Sequence, residues 1–277
     1  GCACGYLLGG RYPMEWAPVD AGEHSGVEES KARLLALGVP DYVLNDLTAE
    51  DLAACDGAIL VVVDVDDYPV NSGRRVSHSY WIGGERHTNI HTVYDVKELR
   101  ITGVGVELPG ERWMLIQHFL WTTPPGFCGT ESIQLWPAYR AGMEGWRSGG
   151  ALTGRVLYDE GGQTYAAPYC FLGEQTFAYD SLFWGKQIRD DLFAAFSLPR
   201  DGENCRGYVA YPIERVRDGY IVDGWFNYTH QQSWMQYPVM TAMENQMTNG
   251  WNWEGVFYEV STALQFYQNE EGVRLLG

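Results

Sequence analysis

Tyr208-Val-Ala-Tyr-Pro-Ile-Glu-Arg-Val-Arg217, then Asp218-Gly219, then Tyr220-Ile-Val-Asp-Gly-Trp-Phe-Asn-Tyr228, sets two aromatic and β-branched runs on either side of a tight-turn dipeptide. Asp-Gly supplies the positive φ angles of a type I′ turn, so the stretch predicts an antiparallel hairpin with Tyr211 and Trp225 on adjacent strands. The same pattern recurs upstream. It predicts strands over Leu99–Leu108, Arg112–Trp121, Ser132–Tyr139, Arg155–Tyr158, Tyr165–Leu172 and Leu192–Leu198. Trp121 is followed by Thr-Thr-Pro-Pro, which stops its strand because proline cannot donate to a ladder.

Outward from this block the periodicity changes. Ser25-Gly-Val-Glu28 reads as a capping box, with Gly38 and Pro40 closing the helix it opens. Thr48 with Asp51 caps a second short helix that ends near Gly57 and leads into a buried strand at Ile59–Val65. Between Asp67 and Lys97 the chain turns polar, with Gly83-Gly84 as a hairpin tip. Near the C-terminus a period of about 3.6 in Pro238–Met247 and Val256–Tyr267 predicts helices, the first carrying Met240, Met243 and Met247 as a core stripe. The expected fold is α+β and mainly antiparallel β: a β-sandwich with an N-terminal helical unit and C-terminal helices. The expected division is 1–66, the helical unit leading into a strand, and 67–277, the aromatic-rich sandwich with its C-terminal helices.

Charge narrows the function. The formal net charge is −17, and Asp20–Asp67 holds twelve acidic residues against Lys31 and Arg33. Such a surface repels phosphate backbones, so no nucleic-acid partner is expected. Apolar stretches are far shorter than the roughly 20 residues that span a bilayer, so membrane attachment is expected only through a lipid anchor. Gly1-Cys2 resembles the end of a bacterial lipoprotein signal, in which Cys2 would become the acylated residue. Of the other cysteines, Cys55, Cys128, Cys170 and Cys205 permit three pairings that spacing does not decide, and Cys170 reads best as a small buried hydrophobe.

Signatures of catalysis are nearly absent. There is no Gly-x-Ser-x-Gly elbow, no His-Glu-x-x-His, no Cys-x-x-Cys and no phosphate loop. Gly103-Val-Gly105 lacks the third glycine and the helix of a dinucleotide site. Asp159-Glu160 precedes Gly161-Gly162 and reads as turn chemistry, although a glycosidase needs a carboxylate pair. His87, His91 and Asp95, with His78 nearby, have the spacing of loose zinc ligands against the simpler reading of exposed hairpin side chains. Cys128 becomes a nucleophile only if the fold brings His118 or His230 to it. No cofactor and no metal are expected.

The aromatics remain. In Ile221–Tyr228, alternation sends Val222, Phe226 and Tyr228 to one face and Asp223, Trp225 and Asn227 to the other. Gln134, Trp136 and Arg140 repeat that mixture, and Trp146 is expected in a mobile glycine-rich loop between two strands, containing Gly142, Gly145, Gly149 and Gly150. Trp136, Trp146, Asp223, Trp225 and Asn227 are therefore the candidate ligand-binding residues, flat rings edged by hydrogen-bonding groups that suit a glycan or a peptide. The competing reading buries the strand tryptophans under a covering layer. Asn227-Tyr-Thr229 matches a glycosylation acceptor and is incidental in a bacterial setting.

The β segment from Gly126-Phe-Cys-Gly-Thr130 through Tyr228-Thr-His230 resembles secreted bacterial proteins of uncharacterised activity. The resemblance implies an extracellular location, secreted or anchored at the cell surface as a lipoprotein, and implies no chemistry. The leading expectation is a non-enzymatic extracellular binding or envelope-associated protein, using exposed aromatics. Its rivals are a hydrolase with a carboxylate pair or a metal on the same scaffold, and a structural subunit.

Overall fold

The computed structural model describes residues 11–68, 77–82, 85–89, 99–140, 146–183, 185–215, 221–231, 258–269 and 272–275. The chain opens with a short strand β1 (Ala17–Pro18) and three helices, α1 (Glu28–Leu37), α2 (Asp41–Leu44) and α3 (Ala49–Ala53). Next come β2 (Leu60–Tyr68), β3 (Ser77–Ile82), β4 (Glu85–Asn89), β5 (Leu99–Leu108) and β6 (Arg112–Trp121). They are followed by β7 (Thr130–Arg140), β8 (Trp146–Ser148), β9 (Thr153–Glu160), β10 (Gln163–Ala167) and β11 (Phe171–Ser181). The last are β12 (Gly185–Ser197), β13 (Glu203–Arg215), β14 (Ile221–His230), β15 (Tyr258–Asn269) and β16 (Gly272–Leu275).

All pairings are antiparallel among the described residues. One sheet runs β1-β10-β9-β13-β6-β5-β2-β3-β4, with β8 also on β13, and the other runs β11-β12-β7-β14-β15-β16. They pack face to face as a sandwich. Trp113, Leu115, Phe119, Val209 and Tyr211 from the first meet Ile133, Leu135, Phe196, Phe226 and Tyr228 from the second in one core. The fold is the expected α+β, mainly antiparallel β architecture. Among the described residues no helix is long and apolar enough to cross a membrane.

The central strands of the ten-stranded sheet are buried on their other face as well. Val61, Val63 and Val65 of β2, Val104 and Val106 of β5, and Met114 and Ile116 of β6 pack against Leu34, Val43, Leu44, Leu47 and Leu52 of the helical unit. Alternate residues thus serve two cores, which is why Leu60–Val63 reads as an unbroken apolar run. Polar groups pin the helices down. Asp51 accepts from the hydroxyls of Tyr208 and, at 2.8 Å, Thr153, while the N–H of Thr48 donates to the Tyr208 hydroxyl at 3.0 Å. Tyr42 hydrogen-bonds Thr102 at 2.8 Å.

Local signals are largely met. Thr48 accepts from the Asp51 N–H at 3.2 Å, and Gly38 closes α1 at φ 116°. Gly161 and Gly162, at φ 58° and 78°, join β9 to β10 as a tight hairpin after Asp159-Glu160. The strands flanking Gly83-Gly84 pair up to Ile82 and Glu85.

Five expectations are corrected. First, β13 and β14 do not form a hairpin: β13 pairs β6, β8 and β9, whereas β14 pairs β7 and β15. The chain switches sheets across the segment containing Asp218-Gly219, which lies outside the described residues. The reason is apolar matching, since Val209, Tyr211 and Ile213 face Phe226 and Tyr228 across one core. Second, Val256–Tyr267 is not a helix, because β15 runs through it and pairs β14 from Tyr258 to Tyr267. Tyr258, Val260, Thr262, Leu264 and Phe266 carry a period of two that competes with 3.6. Pro238–Met247 lies outside the described residues.

Third, Tyr165–Leu172 is two strands, β10 and β11, in different sheets, divided at Pro168. Fourth, α1 begins at Glu28 with Val27 as an N-cap lacking a side-chain bond, and Glu28 instead accepts from the Gly26 N–H at 2.8 Å. Fifth, the boundary drawn at 66/67 falls inside β2, which pairs β5 through Tyr68.

Two glycines separate backbone strain from crowding. At Gly154, φ is 140°, and a Cβ would lie 2.1 Å from the Tyr208 carbonyl oxygen; at Gly161, nothing lies within 4 Å. Gly161→Ala should cost about 1–2 kcal/mol. Gly154→Ala should exceed about 3 kcal/mol or fail to fold. Urea denaturation compares them, and equal losses would contradict the close approach of β9 to β13.

Candidate functional site

A concavity lies between the segment joining β8 to β9 and the β11–β12 hairpin. It encloses about 720 Å³. One wall is the turn Ser148-Gly149-Gly150-Ala151-Leu152; the other is Leu172, Glu174 and Thr176 of β11 with Asp190 and Leu192 of β12. The turn is held tightly. Gly149 donates to the Pro212 carbonyl at 2.8 Å, Ser148 Oγ donates to the Gly150 carbonyl at 2.9 Å, and a Cβ at Gly150 would stand 2.8 Å from Pro212 Cγ. Pro212 fits this interior strand because it sits where the flanking partner of β13 changes from β9 to β8.

Asp190 ties the walls together. Its carboxylate accepts from Thr176 Oγ1 at 2.8 Å and from the Ser148 N–H at 3.2 Å, so one side chain of the six-stranded sheet holds a backbone group of the other sheet. Glu174 is exposed beside it. Pairing places Glu174 opposite Leu192 and Thr176 opposite Asp190, so the two carboxylates are diagonal neighbours on one wall. The floor is aliphatic, from Leu152, Leu172 and Leu192.

Two buried acid–histidine pairs lie away from this groove. His118 Nε2 meets Asp46 Oδ2 at 2.7 Å, and Arg206 Nε meets both Asp46 oxygens at 2.9 and 3.0 Å. His118 and Arg206 together hold the Asp46 carboxyl below its ordinary range against the opposing effect of burial. This cluster joins the segment after α2 to β6 and β13, and its role is to fasten the helical unit. The second pair, His230 Nδ1 with Glu131, occupies registered positions of β14 and β7. Burial raises the Glu131 carboxyl, with His230 and Tyr228 partly offsetting it. Burial and the Glu131 charge also raise the Cys128 thiol, the wrong direction for a nucleophile.

The sequence-derived candidates separate. Trp146 is corrected: it begins β8, packs into the inter-sheet core with 1% exposure, and its Nε1–H meets no acceptor among the described residues. Its neighbours Ser148 and Gly150 do line the groove, so the glycine-rich segment contributes to the site although its indole does not. Trp136 and Trp225 are register partners on β7 and β14, but their side chains and that of Asp223 lie outside the described residues. Asn227 is half-buried. At the positions of β12 that alternate with its core residues, Asp191, Phe193 and Ala195 are fully buried, so this face of the sheet is closed there.

His78 and His87 lie on β3 and β4; His91, Asp95 and Cys2 lie outside the described residues. No group of three His, Cys, Asp or Glu side chains is arranged for a metal among the described residues. Asp159 bonds Thr164 and Asn204 at the β9–β10 turn, at 2.8 and 3.0 Å. No disulfide joins Cys55, Cys128, Cys170 and Cys205 to one another; Cys55 and Cys205 are buried, and Cys170 is half-buried with its Sγ 3.1 Å from the Pro13 carbonyl. What sequence reasoning missed is β11 itself, whose alternation was masked by polar residues on both faces. No protein-family model matches the chain, and no curated protein matches it in sequence.

Trp146→Ala should cost about 3–5 kcal/mol, the penalty of a large core cavity, measurable by urea denaturation. A loss below about 1 kcal/mol would restore the indole to the surface. Asp46→Ala should cost about 3 kcal/mol at neutral pH, because the buried His118 loses its carboxylate and Arg206 keeps only the carboxylate of Asp159, at 3.1 Å. The Asp46 carboxyl is depressed in the folded state, so its contribution is present above the unfolded value of about 3.9 and is lost as pH falls below it. Wild type should therefore lose stability more steeply than Asp46→Ala below about pH 4; parallel pH profiles would contradict the assignment.

Proposed function

We propose that this chain is a non-enzymatic binding protein acting outside the cytoplasm, and that its ligand lies in the groove between Ser148–Leu152 and β11–β12. The observation that carries the reading is the groove's construction: aliphatic floor, polar rim, and walls tied to each other by Asp190. A preformed cleft with a few convergent polar groups is the usual form of a ligand seat. The extracellular setting follows the resemblance of the β segment to secreted bacterial proteins.

The hydrolase reading is less well supported at this groove. Glycoside hydrolysis needs two carboxylates flanking a bond from opposite sides, and Glu174 and Asp190 project from the same wall. The Ser148–Leu152 wall carries no acid. Binding through exposed aromatics is also less well supported at this groove, because its lining holds no aromatic side chain and Trp146 is core.

The test fills the groove without touching the core. Ala151 is exposed on its wall, so Ala151→Trp should leave the thermal midpoint within a degree or two while abolishing capture of whatever wild-type protein takes from peptide and oligosaccharide arrays. Undiminished capture by Ala151→Trp would place the ligand elsewhere.

A further inference from the structure

We infer that the groove takes an extended cationic peptide, added to the open edge of β11 as a further strand. The inference rests on the reading of the groove as the ligand seat and assigns its ligand class. It starts from the edges of the two sheets. Three of them are short: β1 has two residues, β16 four and β4 five. The fourth, β11, is eleven residues long and pairs β12 in unbroken register from Phe171 to Ser181, with no strand on its other flank among the described residues.

An edge of this length is a template for another strand, and proteins ordinarily blunt it with lysine, proline or a bulge. β11 has no lysine, proline or bulge, and the charges it carries, Glu174 and Asp180, are both acidic, so they guard the edge against a like-charged strand only. It is also bordered by apolar surface: Leu172 and Tyr179 are each 46% exposed, and Leu182 and Phe183 at the hairpin tip are 92% and 83% exposed. Strand addition draws affinity from main-chain hydrogen bonds and selectivity from side-chain sites at alternate positions.

Charge selects the occupant. On the groove side, Asp180 stands in register with Lys186, while Glu174 and Asp190 form an acidic pair beside the apolar Leu172 with no cationic partner among the described residues. A strand whose lysine or arginine falls opposite Glu174 completes the site, with the aliphatic stem lying on Leu172. A second copy of this chain does not fit, because two β11 edges would bring like charges together on molecules already at −17. A glycan lacks the alternating backbone donors and acceptors that an edge strand pairs with.

The experiment measures binding of fluorescent (Lys-Val)4 to the whole chain by anisotropy, beside its Glu-Val counterpart and two versions N-methylated on either all lysines or all valines. Alternate residues of a strand present their N–H groups to the same neighbour. One methylated series should therefore lose binding while the other keeps it. Glu174→Lys, a change at an exposed position, should weaken (Lys-Val)4 by about tenfold or more and improve the Glu-Val peptide, with the thermal midpoint unchanged. Equal responses of the two methylated series overturn strand addition, and so does a failure of (Lys-Val)4 to bind wild-type protein. The groove reading falls separately, only if Ala151→Trp leaves array capture intact.

Discussion

A sheet covered on both faces has no solvent side, and that constraint organises this molecule. The central residues of β2, β5, β6 and β13 enter either the inter-sheet core or the core beneath the helices. Several polar side chains at such positions are paired with the covering helical unit. Asp51 takes Tyr208 and Thr153; Asp46 takes His118 and Arg206; Thr102 takes Tyr42. The helices in turn have ten, four and five residues, too short to persist alone in water. Helical unit and sheet therefore depend on each other, and a boundary at 66/67 describes composition without describing a folding unit.

The legible part of the fold was the part written locally. Caps at Thr48 and Gly38, the glycine pair at 161 and 162, and the strands of the 99–121 region were readable because their determinants lie within a few residues. Pairing was not. Asp218-Gly219 is among the strongest short hairpin signals, yet β13 and β14 join different sheets, since the apolar sides of both strands bury more by facing each other across the sandwich than by lying side by side. The same limit applies to Val256–Tyr267, where helical and strand periods coexist and the open edge of β14 decides between them.

For the site, the sequence pointed to the correct segment and the wrong atom. The glycines around Trp146 mark a close backbone turn against Pro212, and that turn forms a groove wall. An indole next to glycines invites a surface reading, but burying so large a side chain outweighs the local mobility that glycines suggest. β11 was hidden for a related reason. Its side chains are polar or half-exposed on both faces, as an edge strand's must be, so no apolar alternation announces it.

The acidity of the chain acquires a second meaning at that edge. An unblunted edge of eleven residues is an aggregation hazard in a neutral protein, because identical edges can pair. A net charge of −17 makes every approach of two copies repulsive at long range, and acidic side chains on β11 repeat the repulsion at contact. The same field attracts a cationic strand. Repulsion between copies and attraction of a basic ligand are then one electrostatic arrangement seen by two partners, and an edge that would otherwise need lysine or proline to protect it stays open to ligands of the opposite charge.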